Sequence, residues 1–203
     1  MRLLFLSNTR NNENKAVVDL LKTWIKPDGK IAYFSASPDP TRKYFTEICE
    51  WFKKVVGREN LYYLDANSTL EEINSLSTAD AIFLSGGNTY HLLKALRDTG
   101  ADQLIKKAKT PIIGVSAGGL CLTPDIGSAS AENDIGLTDS RGLGLVDFGL
   151  YPHYIQNEIC VTEINEFMKF FKIKEVIALP EYSGLAVIEK ELKRLGEVVR
   201  FTK

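Results

Sequence analysis

The sequence predicts a three-layer α/β/α fold with a mostly parallel, doubly wound sheet. Over the first two-thirds of the chain, short apolar runs alternate with stretches whose apolar residues recur at helical spacing. The short runs are apolar throughout, as expected of strands that a parallel sheet buries on both faces. The chain has 203 residues, of which 44% are hydrophobic, enough for one domain with a large core. We therefore expect a single domain over residues 1–203.

Strands and helices are expected to alternate from the N-terminus onwards. The strand patterns cover residues 2–8, 30–37, 60–66, 80–87 and 110–116. The helical patterns cover residues 14–25, 42–57, 69–77 and 89–100, and a further helix is expected to begin at Ala117. The second helix is predicted to end on a glycine, because glycine readily adopts the left-handed conformation that closes a helix.

The last third of the chain has a different pattern. Residues 126–144 are rich in Gly, Ser, Asp and Asn, which indicates a long loop or a β-excursion. Residues 164–172 predict a helix, and residues 175–181 predict a strand. The segment "SGLAVIEKELKRLGEVVRF" is typical of antiparallel strands, which we expect at an edge of the sheet.

Charge and hydropathy exclude several classes of function. The 25 basic and 26 acidic residues give a net charge of −1, which is too weak to attract nucleic acid or an anionic membrane. The first apolar run is too short for a signal peptide, and no stretch approaches the length of a membrane span. We therefore expect a cytoplasmic protein with no nucleic-acid or membrane partner, present as a monomer or a homodimer.

Cysteine and histidine usage limits the chemistry. The three cysteines are an odd number and form no CxxC pair, which favours reduced thiols over disulfides or a zinc site. Two histidines are too few for a multi-histidine metal centre. We therefore expect no metal and no cofactor, so that any hydrolysis must rely on side chains alone.

A nucleophile elbow is the first candidate for chemistry. Ligands of a parallel α/β sheet bind beyond the carboxyl ends of its strands. At one such end, residues 114–118 read Gly-Val-Ser-Ala-Gly and match the G-x-S-x-G elbow, which places Ser116 at a sharp turn from strand to helix. The alternative is a Gly-rich turn whose serine only caps a helix.

An oxyanion hole is expected beside this serine. The loop Ser-Gly-Gly-Asn-Thr follows the neighbouring predicted strand, and its glycines allow a substrate oxygen to approach the backbone. The N–H groups of Gly86, Gly87 and Ala117 are therefore expected to stabilise an oxyanion.

A serine nucleophile needs a base, and the base needs an acid that fixes its tautomer. His153, in "GLYPHYIQN", suits a histidine delivered into a cleft, whereas His91 is expected on a helix as an ordinary side chain. Glu181 is the leading acid, because its predicted strand ends at the same edge as the serine. Asp134, in the polar loop, is the alternative acid. Three further aspartates are weaker candidates, namely Asp125, Asp139 and Asp147.

Four motifs carry a resemblance to a known family. "GGNTYHLLKAL", "GVSAGG", "YPHY" and "LPE" resemble, in order and approximate spacing, the peptidase family of aspartyl dipeptidase (peptidase E) and, more remotely, cyanophycinase. The resemblance implies a class I glutamine-amidotransferase-like (flavodoxin-like) fold in which serine replaces the cysteine nucleophile. It also implies that Ser116 is the nucleophile, His153 the base and Glu181 the third member, with Asp134 as the alternative.

The chain departs from aspartyl dipeptidase at the substrate site. The segment after His153 is shorter than in aspartyl dipeptidase and lacks the arginine that would recognise a substrate aspartate. The remaining substrate-binding candidates are Asn88, Thr89 and Arg141. We expect a serine peptidase that acts on short peptides through an acyl-enzyme, without a firm preference for aspartate. The alternatives are another acyl hydrolase, such as an esterase or amidase, and a non-catalytic metabolite-binding module.

Overall fold

The computed structural model describes residues 1–9, 14–37 and 39–203, and its centre is a seven-stranded sheet. Its strands, in spatial order, are β3 (Leu61–Leu64), β2 (Ile31–Phe34), β4 (Ala81–Leu84), β5 (Ile112–Val115), β1 (Arg2–Leu6), β8 (Gly184–Ile188) and β9 (Glu191–Leu195). The first five of these are parallel, and β8 and β9 extend the sheet in antiparallel pairing. A mostly parallel sheet was predicted, and it is confirmed.

Helices cover both faces of this sheet. They are α1 (Lys15–Trp24), α2 (Lys43–Trp51), α3 (Leu70–Asn74), α4 (Thr89–Asp98), α5 (Ala101–Lys107), α6 (Ala117–Leu122) and α7 (Glu158–Phe170). Successive β1 side chains point to opposite faces: Leu4 packs with α1 and α2, whereas Phe5 packs with α3 to α6. Each fully buried Leu or Phe stabilises the fold by roughly 1.5–3 kcal/mol. No helix within the described ranges is long and apolar enough to cross a membrane.

A second, three-stranded sheet is formed by the last third of the chain. It contains β6 (Gly149–Pro152), β7 (Glu175–Leu179) and β10 (Val199–Thr202), in the order β10-β7-β6. One of its faces packs Leu150, Ile177 and Leu179 against the main core, and the other packs against α7. The sequence predicts the strand of residues 175–181 but not a second sheet, to which this strand belongs in the structure. Of the antiparallel strands expected at an edge of the sheet, β8 and β9 lie at the edge of the main sheet, whereas β10 pairs with β7.

Several helix ends follow from local capping. α2 continues as a π-helical turn, Phe52–Val56, and then reaches Gly57, whose φ of 73° is the expected left-handed stop. α7 begins six residues earlier than the predicted residue 164, since the Asn157 side chain accepts a hydrogen bond from the Cys160 N–H at 2.8 Å. The long polar loop contains a short 3₁₀ segment, Gly127–Glu132, and no strand longer than a single bridge within its described residues.

The carboxyl ends of the central strands lie level with one another at one edge of the sheet. Phe34 of β2 lies beside Leu84 of β4, which lies beside Gly114 of β5, and Val115 lies beside Leu6 of β1. The loops that follow these strands therefore emerge side by side at one edge. At the far end of the sheet, β9 forms an edge strand whose residues 191–194 are all exposed.

Candidate active site

Ser116 occupies a strained turn between β5 and α6. Its φ of 47° and ψ of −108° are unusual for a residue with a side chain, and such a conformation costs about 1–3 kcal/mol. Two backbone hydrogen bonds hold it: the Ser116 N–H donates to the Leu6 carbonyl, and the Ser116 carbonyl accepts from the Leu120 N–H, both at 2.9 Å. The turn resembles a nucleophile elbow and leaves the hydroxyl partly exposed.

The glycines around Ser116 are required by close packing. A Cβ atom on Gly118 would lie 2.2 Å from the Leu84 carbonyl oxygen, and one on Gly114 would lie 2.6 Å from the Gly119 nitrogen. α6 therefore approaches the backbones of β4 and β5 more closely than any side chain would allow. This contact fixes the position at which the helix begins.

His153 follows directly after β6 and meets the serine. Its Nε2 atom lies 2.9 Å from Ser116 Oγ. Its backbone is left-handed, with a φ of 57°, and its N–H donates to the Ser7 hydroxyl oxygen at 2.8 Å. The ring therefore reaches the nucleophile from the small sheet, while the serine comes from the large one.

Glu181 contacts the opposite nitrogen of the same ring, with 2.5 Å between Oε1 and His153 Nδ1. The pairing of the small sheet explains this meeting, because Pro152 of β6 lies beside Leu179 of the parallel strand β7. The two strands thus deliver His153 and Glu181 at adjacent carboxyl ends. Both side chains remain almost half exposed, at 48% and 42%.

The Gly86–Gly87 loop runs alongside the serine. A Cβ atom on Gly86 would lie 3.7 Å from Ser116 Cβ, and Gly87 has a φ of 129°, a conformation that favours glycine. Ser85 anchors this loop: its hydroxyl donates to the Gly86 carbonyl at 2.9 Å, and its carbonyl accepts from the Gly118 N–H at 3.0 Å. Ala117 is the first residue of α6, where an amide has no acceptor within its own helix. The oxyanion hole stays a prediction.

Asp134 lies near this loop but contacts the other histidine. Its Oδ1 atom is 2.9 Å from His91 Nε2 and 3.4 Å from Asn88 Nδ2. Thr89 is buried, and both its N–H and its hydroxyl donate to Glu132 Oε2 at 2.9 Å. These contacts tie the polar loop to the start of α4. The structure therefore brings Glu181, and not Asp134, to His153.

Arg141 is held within the polar loop. Its Nε and Nη2 atoms each donate to the Asp139 carboxylate at 2.8 Å. The hydrogen bond from Arg141 holds the pKa of Asp139 well below its usual range. Among the described residues, the guanidinium contacts none of Ser116, His153 or Glu181. The substrate-binding roles of Arg141, Asn88 and Thr89 stay predictions.

Two other features bear on the chemistry of the site. Cys121 lies within α6, but full burial raises the pKa of its thiol far above the usual range, so it does not supply a thiolate. Within residues 1–9, 14–37 and 39–203, no three His, Cys, Asp or Glu side chains are grouped to hold a metal ion.

Sequence reasoning missed Ser7. This fully buried residue follows β1 and contacts the backbone of His153. The signal in the sequence is a polar residue directly after a buried strand, which Ser7 shares with Ser116 and Ser85.

An α/β protein in which a serine, a histidine and a glutamate form one hydrogen-bonded line has the arrangement typical of serine hydrolases. The model of peptidase family S51 matches residues 3–195. The chain belongs to this family, and it is a peptidase.

Individual relatives agree with the family assignment. Peptidase E of Nostoc sp. is 28% identical over 214 residues, covering 96% of this chain and 86% of the relative. An uncharacterized peptidase of Pasteurella multocida is 30% identical over 158 residues, covering 74% and 70%. The crystal structure of a candidate peptidase E from Listeria monocytogenes has a TM-score of 0.68 at 26% identity, covering 100% of this chain and 98% of that one. A peptidase from an actinobacterium, with a TM-score of 0.64 at 15% identity, shares the fold.

Proposed function

We propose that this chain is a serine peptidase that hydrolyses short peptides through an acyl-enzyme. The observation that carries the proposal is the continuous line from Ser116 Oγ through both ring nitrogens of His153 to Glu181, with contacts of 2.9 and 2.5 Å. A histidine held at both nitrogens is prepared to take a proton from the serine and to remain in one tautomer as it does so.

The first half of the reaction forms the acyl-enzyme. Ser116 Oγ attacks the scissile carbonyl carbon as His153 Nε2 accepts the hydroxyl proton, and the Glu181 carboxylate stabilises the resulting imidazolium. The N–H groups of Ala117 and the Gly86–Gly87 loop donate to the oxyanion. The imidazolium then gives its proton to the leaving amine, and the carbon–nitrogen bond breaks.

The second half releases the acid product. His153 accepts a proton from water, whose oxygen attacks the ester carbonyl of the acyl-enzyme. The tetrahedral intermediate collapses, the proton returns to Ser116 Oγ, and the carboxylic acid leaves. Each group returns to its starting state, so the cycle consumes one water per peptide bond.

The charged residues near the site bear on which substrate side chain the protein prefers. The segment after His153 lacks arginine, and Arg141 is already paired with Asp139 at 2.8 Å. A substrate aspartate would need a cation with free donors. We therefore propose that Asp-X dipeptides are hydrolysed at rates similar to those of other short peptides.

The first test asks whether Ser116 is an activated nucleophile. A fluorophosphonate should label the wild type on Ser116, and Ser116→Ala should lose labelling together with at least about 10³-fold of its peptidase activity. Turnover within tenfold of the wild type in Ser116→Ala would contradict the proposal. A dipeptide library with and without N-terminal aspartate tests specificity in the same preparation. Hydrolysis of esters alone would indicate a different acyl hydrolase.

A further inference from the structure

The end of β1 contacts all three loops that carry the proposed catalytic residues. The Leu6 carbonyl accepts the N–H of Ser116 at 2.9 Å. The Ser7 hydroxyl oxygen accepts the N–H of His153 at 2.8 Å. The Ser7 N–H donates to the carbonyl of Ser183, two residues after Glu181, at 3.2 Å. Of these three bonds, only the one between the Ser7 hydroxyl and the His153 N–H involves a side chain. A substitution of Ser7 can therefore remove that bond and leave the two backbone bonds in place.

The contact between Ser7 and His153 joins the two sheets. Ser116 follows a strand of the seven-stranded sheet, whereas His153 and Glu181 follow strands of the three-stranded sheet. Ser7 directly follows β1 of the first sheet and is fully buried. Its hydroxyl therefore fixes the base relative to the nucleophile across the boundary between the sheets.

The backbone of His153 needs such a contact. A φ of 57° is uncommon for a residue other than glycine, and such a residue keeps this conformation only when its surroundings enforce it. The N–H bond to Ser7 and the neighbouring bond from the Tyr154 N–H to the Leu179 carbonyl, at 3.0 Å, supply that enforcement.

We propose that Ser7 is a positioning residue that holds His153 Nε2 at hydrogen-bond distance from Ser116 Oγ. The inference rests on the proposed serine peptidase function. Without the Ser7 hydroxyl, the partly buried N–H of His153 has lost its acceptor, and the backbone relaxes toward a conformation that satisfies it. The ring then moves away from the serine.

Kinetics test the inference first. Ser7→Ala should lower kcat by about 10- to 100-fold with KM changed by less than about threefold, because a displacement of about 1 Å at a reacting group costs up to that much. Ser7→Cys, which keeps the size but offers a weaker acceptor, should fall between Ser7→Ala and the wild type. The matched control is Ser35→Ala, which removes a buried hydroxyl at the end of β2 that donates to the Ser37 carbonyl at 2.7 Å.

Nuclear magnetic resonance separates positioning from a general loss of stability. The chain has two histidines, so ¹⁵N signals of the rings are assignable with one His91 variant. Ser7→Ala should shift the ring signals of His153 and leave those of His91 in place, and Ser35→Ala should shift neither. Ser7→Cys supplies the same comparison if Ser7→Ala does not fold.

A failure of the proposed function can be distinguished from a failure of the inference about Ser7. Absence of fluorophosphonate labelling in the wild type would end the proposed function, and the ring signals would still report whether Ser7 positions His153. A labelled wild type together with a folded Ser7→Ala or Ser7→Cys that keeps full kcat and unshifted His153 signals would overturn the inference.

Discussion

Three of the seven described non-glycine residues that have a positive φ lie at the candidate active site. Ser116, His153 and Tyr182 have φ values of 47°, 57° and 62°. Ser116 and His153 each directly follow a strand, and Tyr182 follows Glu181. Strained residues of this kind persist where the surrounding structure over-determines them, and they cluster at functional sites. The site thus combines strain with three side chains that contact one another.

The two histidines should differ in their importance. His153 contacts Ser116 Oγ, whereas His91 lies on α4 and pairs with Asp134. His153→Ala should abolish peptidase activity, and His91→Ala should lower it by less than about threefold, because a contact with Asp134 at the surface contributes little. Steady-state kinetics on one dipeptide decides the matter. The opposite ranking of the two variants would overturn the assignment of the base.

The two acidic candidates should separate in kcat. Glu181→Gln removes the charge that stabilises the imidazolium, so kcat should fall by about 10²- to 10⁴-fold with little change in KM. Asp134→Asn should have a much smaller effect, because its carboxylate contacts His91 and Asn88 rather than His153. A larger loss in Asp134→Asn than in Glu181→Gln would contradict this prediction.

For individual residues, the sequence predicts which ones belong to the candidate site better than it predicts their contacts. Ser116 and Glu181 stand out because each is a reactive residue at the end of a predicted strand, whereas His153 stands out as the one of two histidines that is not expected on a helix. The bond between Ser7 and His153 joins residues 146 positions apart, and no local pattern encodes it. Asn88 and Thr89 illustrate the same limit, since their side chains bind the polar loop, as only the folded chain reveals.

Among the elements, α6 depends on the absence of a Cβ atom. Gly118→Ala would bring a carbon within 2.2 Å of the Leu84 carbonyl oxygen, so backbone must move. We expect the free energy of unfolding to fall by about 1–3 kcal/mol and activity to fall with it, because the shift displaces Ser116. Denaturant titration and kinetics on the same sample measure both effects.

Gly100→Ala is the control for this prediction. Gly100 has a φ of 75°, and a Cβ atom there would meet nothing within 4 Å. Gly100→Ala should lower the free energy of unfolding by only about 1 kcal/mol, because alanine is less favourable than glycine in a left-handed conformation. The variant should keep full activity. Equal loss of activity in both variants would show that the contact with Leu84 does not matter.

The sequence predicted the alternation of the first five strands with helices along the chain, but not the division into two sheets. An apolar run indicates that a strand is buried, but it does not name the strand with which it pairs. β6 has four residues, one of them a proline, and was not recognised. α5 was also missed, because Gly100 suggested the end of a helix and not the junction of two.

On the scale of the whole molecule, the two sheets should unfold together. The small sheet contributes Leu150, Ile177 and Leu179 to the main core, and this shared core makes separate unfolding unfavourable. We predict one transition in urea, with the same midpoint for circular dichroism and for tryptophan fluorescence. Both tryptophans, Trp24 and Trp51, lie on the α1 and α2 face of the large sheet, so their fluorescence reports on that sheet. Two separated midpoints would refute a single domain.

The charged edge strand bears on how copies of the molecule meet in solution. The exposed residues of β9 include Glu191, Lys193 and Arg194. In the part of the chain that the structure describes, no further strand pairs with the outer side of β9. A second molecule that docked there would have to strip water from these charged side chains, which opposes strand addition. β9 therefore protects the concentrated protein against growth into ribbons.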